Sequence, residues 1–372
     1  MAERYDVIVA GLGALGSAAA YHLARRGRSV LGFDRLTPPH SQGSHHGKTR
    51  IIREAYFEDP RYVPMVQSAY DLWRVLERET GRELLREVGG LMIGVPGGSL
   101  VAGAKRSADE HGLPYETLAA DDIRRRYPAL RVDDDMQALL EPRAGVLFSE
   151  ACVQAHLDAA RAAGARLRFG EPVTGWSAGA DGVRVDTSGS TWLADRLVLC
   201  SGAWMAGLVP ELQRSLEVER QVLCWFEPAE PASCAPERLP IFLIEHERER
   251  YFYGFPDFGD GVKVAIHHEG QAVDPEGVSR DVAAHETATI RDLTRRFLPG
   301  ASARMSDAAV CLYTNTPDRN FIVDFHPDHP GVLVASPCSG HGFKFSAVLG
   351  SAVADLIERR PPSIDLEMFR FR

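Results

Sequence analysis

The sequence predicts an α/β protein of two intimately connected domains, on three observations. A glycine-punctuated strand–helix–strand unit opens the chain, later buried strands return to the same layer, and two strand-rich excursions interrupt them. The opening unit reads DVIVAGLGALGSAAAYHLARRGRSVLGFD from Asp6 to Asp34. Val7, Ile8 and Val9 are a β-branched run suited to a strand buried on both faces of a parallel sheet. Gly11, Gly13 and Gly16 follow with G-x-G-x-x-G spacing, then an Ala-rich helical stretch from Ser17 to Arg26 that stops at Gly27. A second strand, Ser29 to Phe33, ends in Asp34. Gly11 permits the tight turn, Gly13 lets backbone N–H groups approach a pyrophosphate at the positive end of the helix, and Gly16 lets helix and strand pack closely. Asp34 is placed to accept from a ribose 2′-OH, which favours FAD or NAD over NADP. The unit therefore reads as a Rossmann-type dinucleotide-binding domain. The bland alternative is a glycine-rich turn in an ordinary βαβ unit.

The totals bound the rest. At 372 residues the chain is long for one core, and 45 % hydrophobic with 25 % charged residues is ordinary globular composition. The net charge of −9 comes without a basic run, which argues against nucleic acid and against a polybasic membrane anchor. No apolar stretch approaches a membrane span, and a first strand at Asp6 leaves no room for a signal peptide. The six cysteines (Cys152, Cys200, Cys224, Cys234, Cys311, Cys338) never stand at C-x-x-C spacing, so they read as reduced thiols, and a cytoplasmic location is expected. No HExxH, CxxC or clustered-carboxylate motif supports a metal site.

The elements follow in order. Arg35 to Lys48, rich in Pro, Ser, Gly and His, reads as a loop. It leads to Thr49–Tyr56, where Arg50 and Arg53 share one face if the piece is helical, a solvated basic face being the plainer reading. An amphipathic helix spans about Pro60 to Glu79, with Met65, Ala69, Leu72, Trp73 and Leu76 on its apolar side and Gly81 as its stop. The strand-like GGLMIGV, a helix near Ser99–His111 and a short helix near Ala120–Tyr127 form a first excursion. Ser149 is expected to cap a helix from Glu150 to Ala163. A strand at Leu167–Phe169, a meander from Pro172 to Ala194 and a buried strand from Leu197 to a small-residue turn at Trp204 come next. From Glu217 to Leu312 the chain is strand-rich, interrupted by a helix at about Ser279–Phe297. A strand at Gly331–Ser336 and a helix from about Phe345 to Glu358 close it. The domains are thus expected at 1–86, 148–214 and 318–372 for the dinucleotide, and at 87–147 and 215–317 for a mixed-sheet substrate domain.

Three later motifs carry chemistry: Cys311-Leu-Tyr-Thr-Asn-Thr-Pro-Asp318, Ser339-Gly-His-Gly-Phe-Lys344, and Tyr253-Gly-Phe-Pro256 followed by Lys263 and His267. With them the whole chain resembles the monomeric sarcosine oxidase family of flavoproteins, whose relatives oxidise N-methyltryptophan, pipecolate-type cyclic amino acids and fructosyl amino acids. The resemblance implies a discontinuous FAD-binding domain, a mixed-sheet catalytic domain and FAD bound covalently through the cysteine that heads the first motif, Cys311. A lone cysteine is otherwise a small buried hydrophobe. Cys338 is the rival, taken as a packing residue beside the flavin.

Arg53 and Lys344 match the residues that clamp the substrate carboxylate, a role that suits a planar guanidinium and a second point charge. Arg50 matches the arginine beside the flavin ring. Lys263 matches the lysine that activates oxygen, electrostatic stabilisation of developing superoxide; the alternative is a strand-edge lysine. His267, Tyr253 and Tyr313 match pocket-lining residues, and His267 is placed to modulate amine deprotonation unless it is a satisfied core histidine. Gly340, His341 and Gly342 belong to the glycine loop beside the flavin, while Tyr56 and His45 are weaker candidates. The resemblance thus implies an FAD-dependent amine oxidase acting on a small secondary amino acid and O2, sarcosine foremost, and monomer as the default state. N-methyltryptophan, pipecolate or proline, and a fructosyl amino acid stay open as substrates, with pocket size expected to turn on the loop around Glu245–Arg250. An NAD-dependent dehydrogenase shares the first motif but leaves the Cys311 motif unexplained.

Overall fold

The computed structural model describes residues 3–301, 304–337 and 339–372, so Cys338 lies outside the described residues. Among them the strands gather into three sheets. The first holds eight strands around the opening unit: Arg4–Ala10 pairs in parallel with Val30–Asp34 on one side and Thr191–Leu199 on the other. Arg166–Phe169 extends it beyond Val30–Asp34, and His329–Ser336 runs parallel to Thr191–Leu199. Ile8, Val9, Leu197, Val198, Leu333 and Val334 are all sealed from solvent, as near-continuous apolar runs in a parallel sheet require.

One face of this sheet is covered by three packed helices, Ala14–Arg25, Ser149–Ala162 and Ser346–Ile357. The helix expected at 17–26 starts at Ala14, with Gly13 as its N-cap and no side chain capping it. The backbone N–H groups of its first turn therefore face outward without a side-chain acceptor. Ser149 does not cap helix Ser149–Ala162: Phe148 is the N-cap, and the Ser149 hydroxyl donates to Glu150 at 2.7 Å instead. Val63–Thr80 buries Met65, Ala69, Trp73 and Leu76 along one stripe and ends at Gly81, whose left-handed φ of 66° closes the last turn onto Glu77.

The second sheet has nine strands, drawn from 90–141 and 217–315. Its longest pair is Glu217–Glu227 against Arg304–Asn315, antiparallel, with Gln221 opposite Cys311. Ile241–Glu247, Arg250–Phe255 and Val262–His267 continue it as a meander. One face carries Phe226, Phe242, Phe252, Val262 and Val264 into an apolar core closed by Ala288–Phe297. That helix is shorter than the sequence suggests. Residues 273–283 are not helical, because Arg220 draws the carbonyls of Ser279 and Asp281 outward, at 3.2 and 2.8 Å, where a helix would use them internally.

The third sheet is small, Thr49–Ile52, Leu85–Glu87 and Gly145–Phe148, and bridges the two others. Its first strand corrects a helical expectation. Thr49–Ile52 is extended, so Arg50 and Arg53 do not share a helix face; Arg53 lies just past the strand end.

Candidate active site

The other face of the nine-stranded sheet forms the wall of a cleft. Register explains which residues stand there. Leu223 is opposite Ala265, Ala265 opposite Tyr253, Tyr253 opposite Leu243, and Phe255 opposite Lys263. Directly opposed residues project from the same face, and residues two apart alternate back to it. The face therefore presents Leu243, Tyr253, Phe255, Lys263, His267, Cys311 and Tyr313 together. Across from it lie the opening turn, Thr49–Glu58 and the loop Gly340–Lys344. One continuous cleft of ≈ 540 Å³ joins all these groups, more than a small amino acid alone would fill.

The structure brings Gly11, Gly13, Asp34, Arg50, Arg53, Tyr253, Lys263, His267, Cys311, Tyr313, Gly340, His341, Gly342 and Lys344 to that cleft. Gly16 is the exception among the motif residues. A Cβ there would meet the Gly11 carbonyl oxygen at 1.8 Å, so its glycine serves helix–strand packing beneath the cleft. Gly11 has a φ of +91°, and a Cβ would collide with the Cys200 carbonyl at 2.5 Å. Asp34 accepts the Leu12 and Leu36 N–H groups, at 2.8 and 2.9 Å, one on each oxygen. Each oxygen keeps a lone-pair direction for a further donor. Arg35 lies over the Trp204 ring, 4.7 Å from its centroid, at the same end. The uncapped helix start, the crowded glycine turn and the acidic end of the second strand fit a dinucleotide pyrophosphate and ribose.

At the far end two buried cations rest on one ring. Arg53 Cζ lies 4.4 Å and Lys344 Nζ 5.1 Å from the Tyr56 ring centroid. Arg53 Nη2 donates to both Glu58 oxygens, at 2.8 and 2.7 Å, and Nη1 donates to the Ala55 carbonyl at 3.0 Å. Burial pushes the Glu58 carboxyl up, but Arg53 beside it outweighs burial and holds it below the usual carboxylate range. Lys344 Nζ donates to the His341 carbonyl at 2.8 Å and to Tyr56 Oη at 3.3 Å. Burial, then the nearby Arg53, push its ammonium down to about 7. His341 Nε2 lies 2.9 Å from the Arg319 carbonyl, which can only accept, so Nε2 carries the proton and Nδ1 accepts from Tyr56 Oη at 2.5 Å. Tyr56 thus orders the loop that carries Lys344, a larger part than its sequence position suggests.

Midway along the cleft, Lys263 is 2 % exposed and donates to the Gly47 and Thr49 carbonyls at 2.7 and 2.8 Å. Burial and the neighbouring Arg50 hold it well below the usual lysine range. It is a cleft residue, not a strand-edge one. Arg50 donates to the Ser44, His46 and Thr49 carbonyls, at 2.8, 2.6 and 2.8 Å, and lies 3.5 Å from Cys311 Sγ. His267 Nδ1 meets Tyr313 Oη at 3.2 Å, and burial, then His268, keep the imidazole neutral. Gly340, with a φ of +77°, passes so close to Tyr313 that a Cβ would stand 2.5 Å from its ring. His45 packs against Gly13 at the helix start.

Some contributors escaped the sequence. Glu58, Thr49 and Glu150 carry no motif. Glu150 accepts the Gly47 and Lys48 N–H groups at 2.8 and 3.0 Å and so holds the peptide whose Gly47 carbonyl receives Lys263. The one available signal was an acidic residue in the short segment after a buried-site arginine. Conversely, Glu245–Arg250 does not border the cleft: Glu245 accepts the Leu100 N–H at 3.0 Å and ties down the start of helix Ser99–His111.

A family model described as FAD dependent oxidoreductase matches residues 6–356. A monomeric sarcosine oxidase of Streptomyces avermitilis is 45 % identical over 96 % of this chain and 94 % of its own length. An N-methyl-L-tryptophan oxidase of Yersinia pestis is 36 % identical over 99 % of this chain and all of its own, 100 %. Among solved structures, NikD, described as an unusual amino acid oxidase essential for nikkomycin biosynthesis, superposes with a TM-score of 0.87 at 27 % identity, covering 99 % of this chain and 97 % of that one.

Proposed function

Since this chain belongs to the FAD-dependent oxidoreductases, in the group that holds the monomeric sarcosine oxidases, we propose that it oxidises small N-methyl amino acids, sarcosine foremost. The overall reaction converts sarcosine, O2 and water into glycine, formaldehyde and hydrogen peroxide. The observation that carries this reading is the pair of buried cations, Arg53 and Lys344, at the end of a cleft whose other end fits a dinucleotide. Arg53 and the protonated form of Lys344, with Glu58 the one side-chain carboxylate bonded to the guanidinium among the described residues, favour an anion beside them.

When bound, FAD would supply a two-electron acceptor for oxidation at the carbon next to nitrogen, with O2 as the final oxidant. Gly11, Gly13 and Asp34 would hold its dinucleotide end, and Cys311 would tether its ring through a thioether. Arg50, 3.5 Å from Cys311 Sγ, would present positive charge to the ring. Arg53 and Lys344 bind the substrate carboxylate, which must share or displace Glu58. Hydride leaves carbon only when the nitrogen lone pair is free. A neutral His267 serves this by adding no positive charge beside the amine. Tyr253 and Tyr313 would exclude water from the reacting carbon, and Lys263 Nζ would donate to the negative charge that develops on oxygen.

Phe57 beside Arg53, with Tyr253 and Phe255 further along the cleft, favours a bulkier N-methyl amino acid as the second reading. The division into a flavin domain (1–86, 148–214, 318–372) and a substrate domain (87–147, 215–317) follows the two large sheets in this reading. The enzyme acts as a monomer in the cytoplasm, a setting consistent with the unbridged buried thiols of Cys152, Cys224 and Cys234. No described helix is long and apolar enough to cross a membrane.

The test is hydrogen peroxide production from sarcosine by the purified holoenzyme, with Arg53→Ala and Lys344→Ala beside it. Removing one partner of a buried charge pair typically costs ~2–5 kcal/mol, so each variant should raise KM roughly thirtyfold or more. Full turnover at unchanged KM in both refutes the clamp.

A further inference from the structure

We propose that Glu141 is the positioning residue that sets Arg53 for the substrate carboxylate; the inference rests on the carboxylate-clamp reading above. Glu141 ends strand Gln137–Glu141 and is 1 % exposed. Its two oxygens accept consecutive backbone N–H groups, Glu54 at 2.6 Å and Ala55 at 2.9 Å. These amides follow Arg53, where the chain has left strand Thr49–Ile52 and its ladder. A side chain therefore does there what a neighbouring strand does elsewhere.

The connection to the clamp is direct. Ala55, held by Glu141 at its N–H, receives Arg53 Nη1 at its carbonyl, one peptide group further on, at 3.0 Å. Glu141 thus fixes the backbone acceptor that aims the guanidinium, whose other terminal nitrogen faces Glu58. The turn after this strand takes a second hold, because Arg143 donates to the buried Glu54 carboxylate at 2.8 Å. Burial raises the Glu141 carboxyl to about 7, so it is an expensive anchor. The chemistry explains the choice: a carboxylate accepts on both oxygens, whereas an amide would turn an NH2 against the second N–H. Glu141 borders neither Lys344 nor the cleft, so its effect passes through Arg53.

The test uses holoenzyme at one fixed pH, with acetate as the carboxylate probe and flavin absorbance as the readout. Glu141→Gln should bind acetate roughly tenfold more weakly and raise KM for sarcosine by a similar factor, the scale of one lost charge-assisted hydrogen bond. Its kcat and its KM for O2 should stay at the wild-type values, a split that a general loss of structure does not produce. If Glu141→Gln fails to fold, Glu141→Asp, charged but one methylene short, should show the same acetate loss. Arg53→Ala sets the reference. Wild-type acetate affinity in the Glu141 variants, with Arg53→Ala weakened, overturns the proposal alone, as does a fall in kcat equal to the rise in KM. Unchanged acetate binding in Arg53→Ala overturns the clamp itself, and this inference with it.

Discussion

Lys344 is buried against Tyr56 and Phe345, and burial together with Arg53 lowers its ammonium to about 7. An anion is held by the protonated form, so binding must be accompanied by proton uptake once the free enzyme has lost that proton. The sign follows: carboxylate affinity is full below this pKa and falls as pH rises through it. Each further pH unit costs ~1.4 kcal/mol, or tenfold, so Kd for acetate should weaken about fiftyfold between pH 7 and pH 9. Acetate is the right ligand because it has no amine; with sarcosine, loss of the amine proton works in the opposite direction. Other groups around the clamp do not imitate the effect. His341 is held near 4 and His267 lower still than its usual range, both neutral throughout, while Arg53 stays charged. Glu141 titrates in the same window, but its ionisation strengthens the anchor on Arg53 and so has the opposite sign. The assay is titration of holoenzyme with acetate across this range, followed by flavin absorbance. Lys344→Arg, charged at every pH, should flatten the profile. A wild-type Kd unchanged over two units above 7 would refute the assignment of Lys344 to the carboxylate.

Three further outcomes are expected. Acid-precipitated wild-type protein should keep its yellow colour in the pellet, and Cys311→Ala should release it to the supernatant; retained colour in that variant moves the attachment elsewhere. Lys263→Met should be reduced by sarcosine without air at close to the wild-type rate yet reoxidise ~10²–10³-fold more slowly, which stopped-flow absorbance resolves. Gly340→Ala combines a left-handed φ of +77° with a Cβ placed 2.5 Å from the Tyr313 ring, so it should lose about 1–3 kcal/mol or more, seen as a lower Tm.

What the sequence determined by itself was the local grammar and the residue types. G-x-G-x-x-G between a β-branched run and an Ala-rich helix can serve few purposes, because helix start, turn and close packing each constrain their own residue. The parity of Lys263 with His267, and of Cys311 with Tyr313, was also legible, since strand side chains alternate with period two. Arg50 and Arg53 show where local reading stopped. As a string they suit a helix face, yet Thr49–Ile52 is extended because Gly145–Phe148 supplies its hydrogen-bond ladder from almost a hundred residues away. The same holds for 279–283, where Arg220 takes the carbonyls a helix would have used.

Only the tertiary structure decided which faces meet. Cys311 reaches Arg50, Lys263 reaches the carbonyls of Gly47 and Thr49, and Tyr56 reaches His341 through sheet register and loop closure. Glu58 and Glu141 have no sequence signature, because a carboxylate's partner is set by what folding carries to it. The physical reason is common to all of them. Covalent neighbours fix conformation, whereas the shifted proton affinities of Lys344, Lys263 and His267 arise from burial and from charges brought close by remote segments.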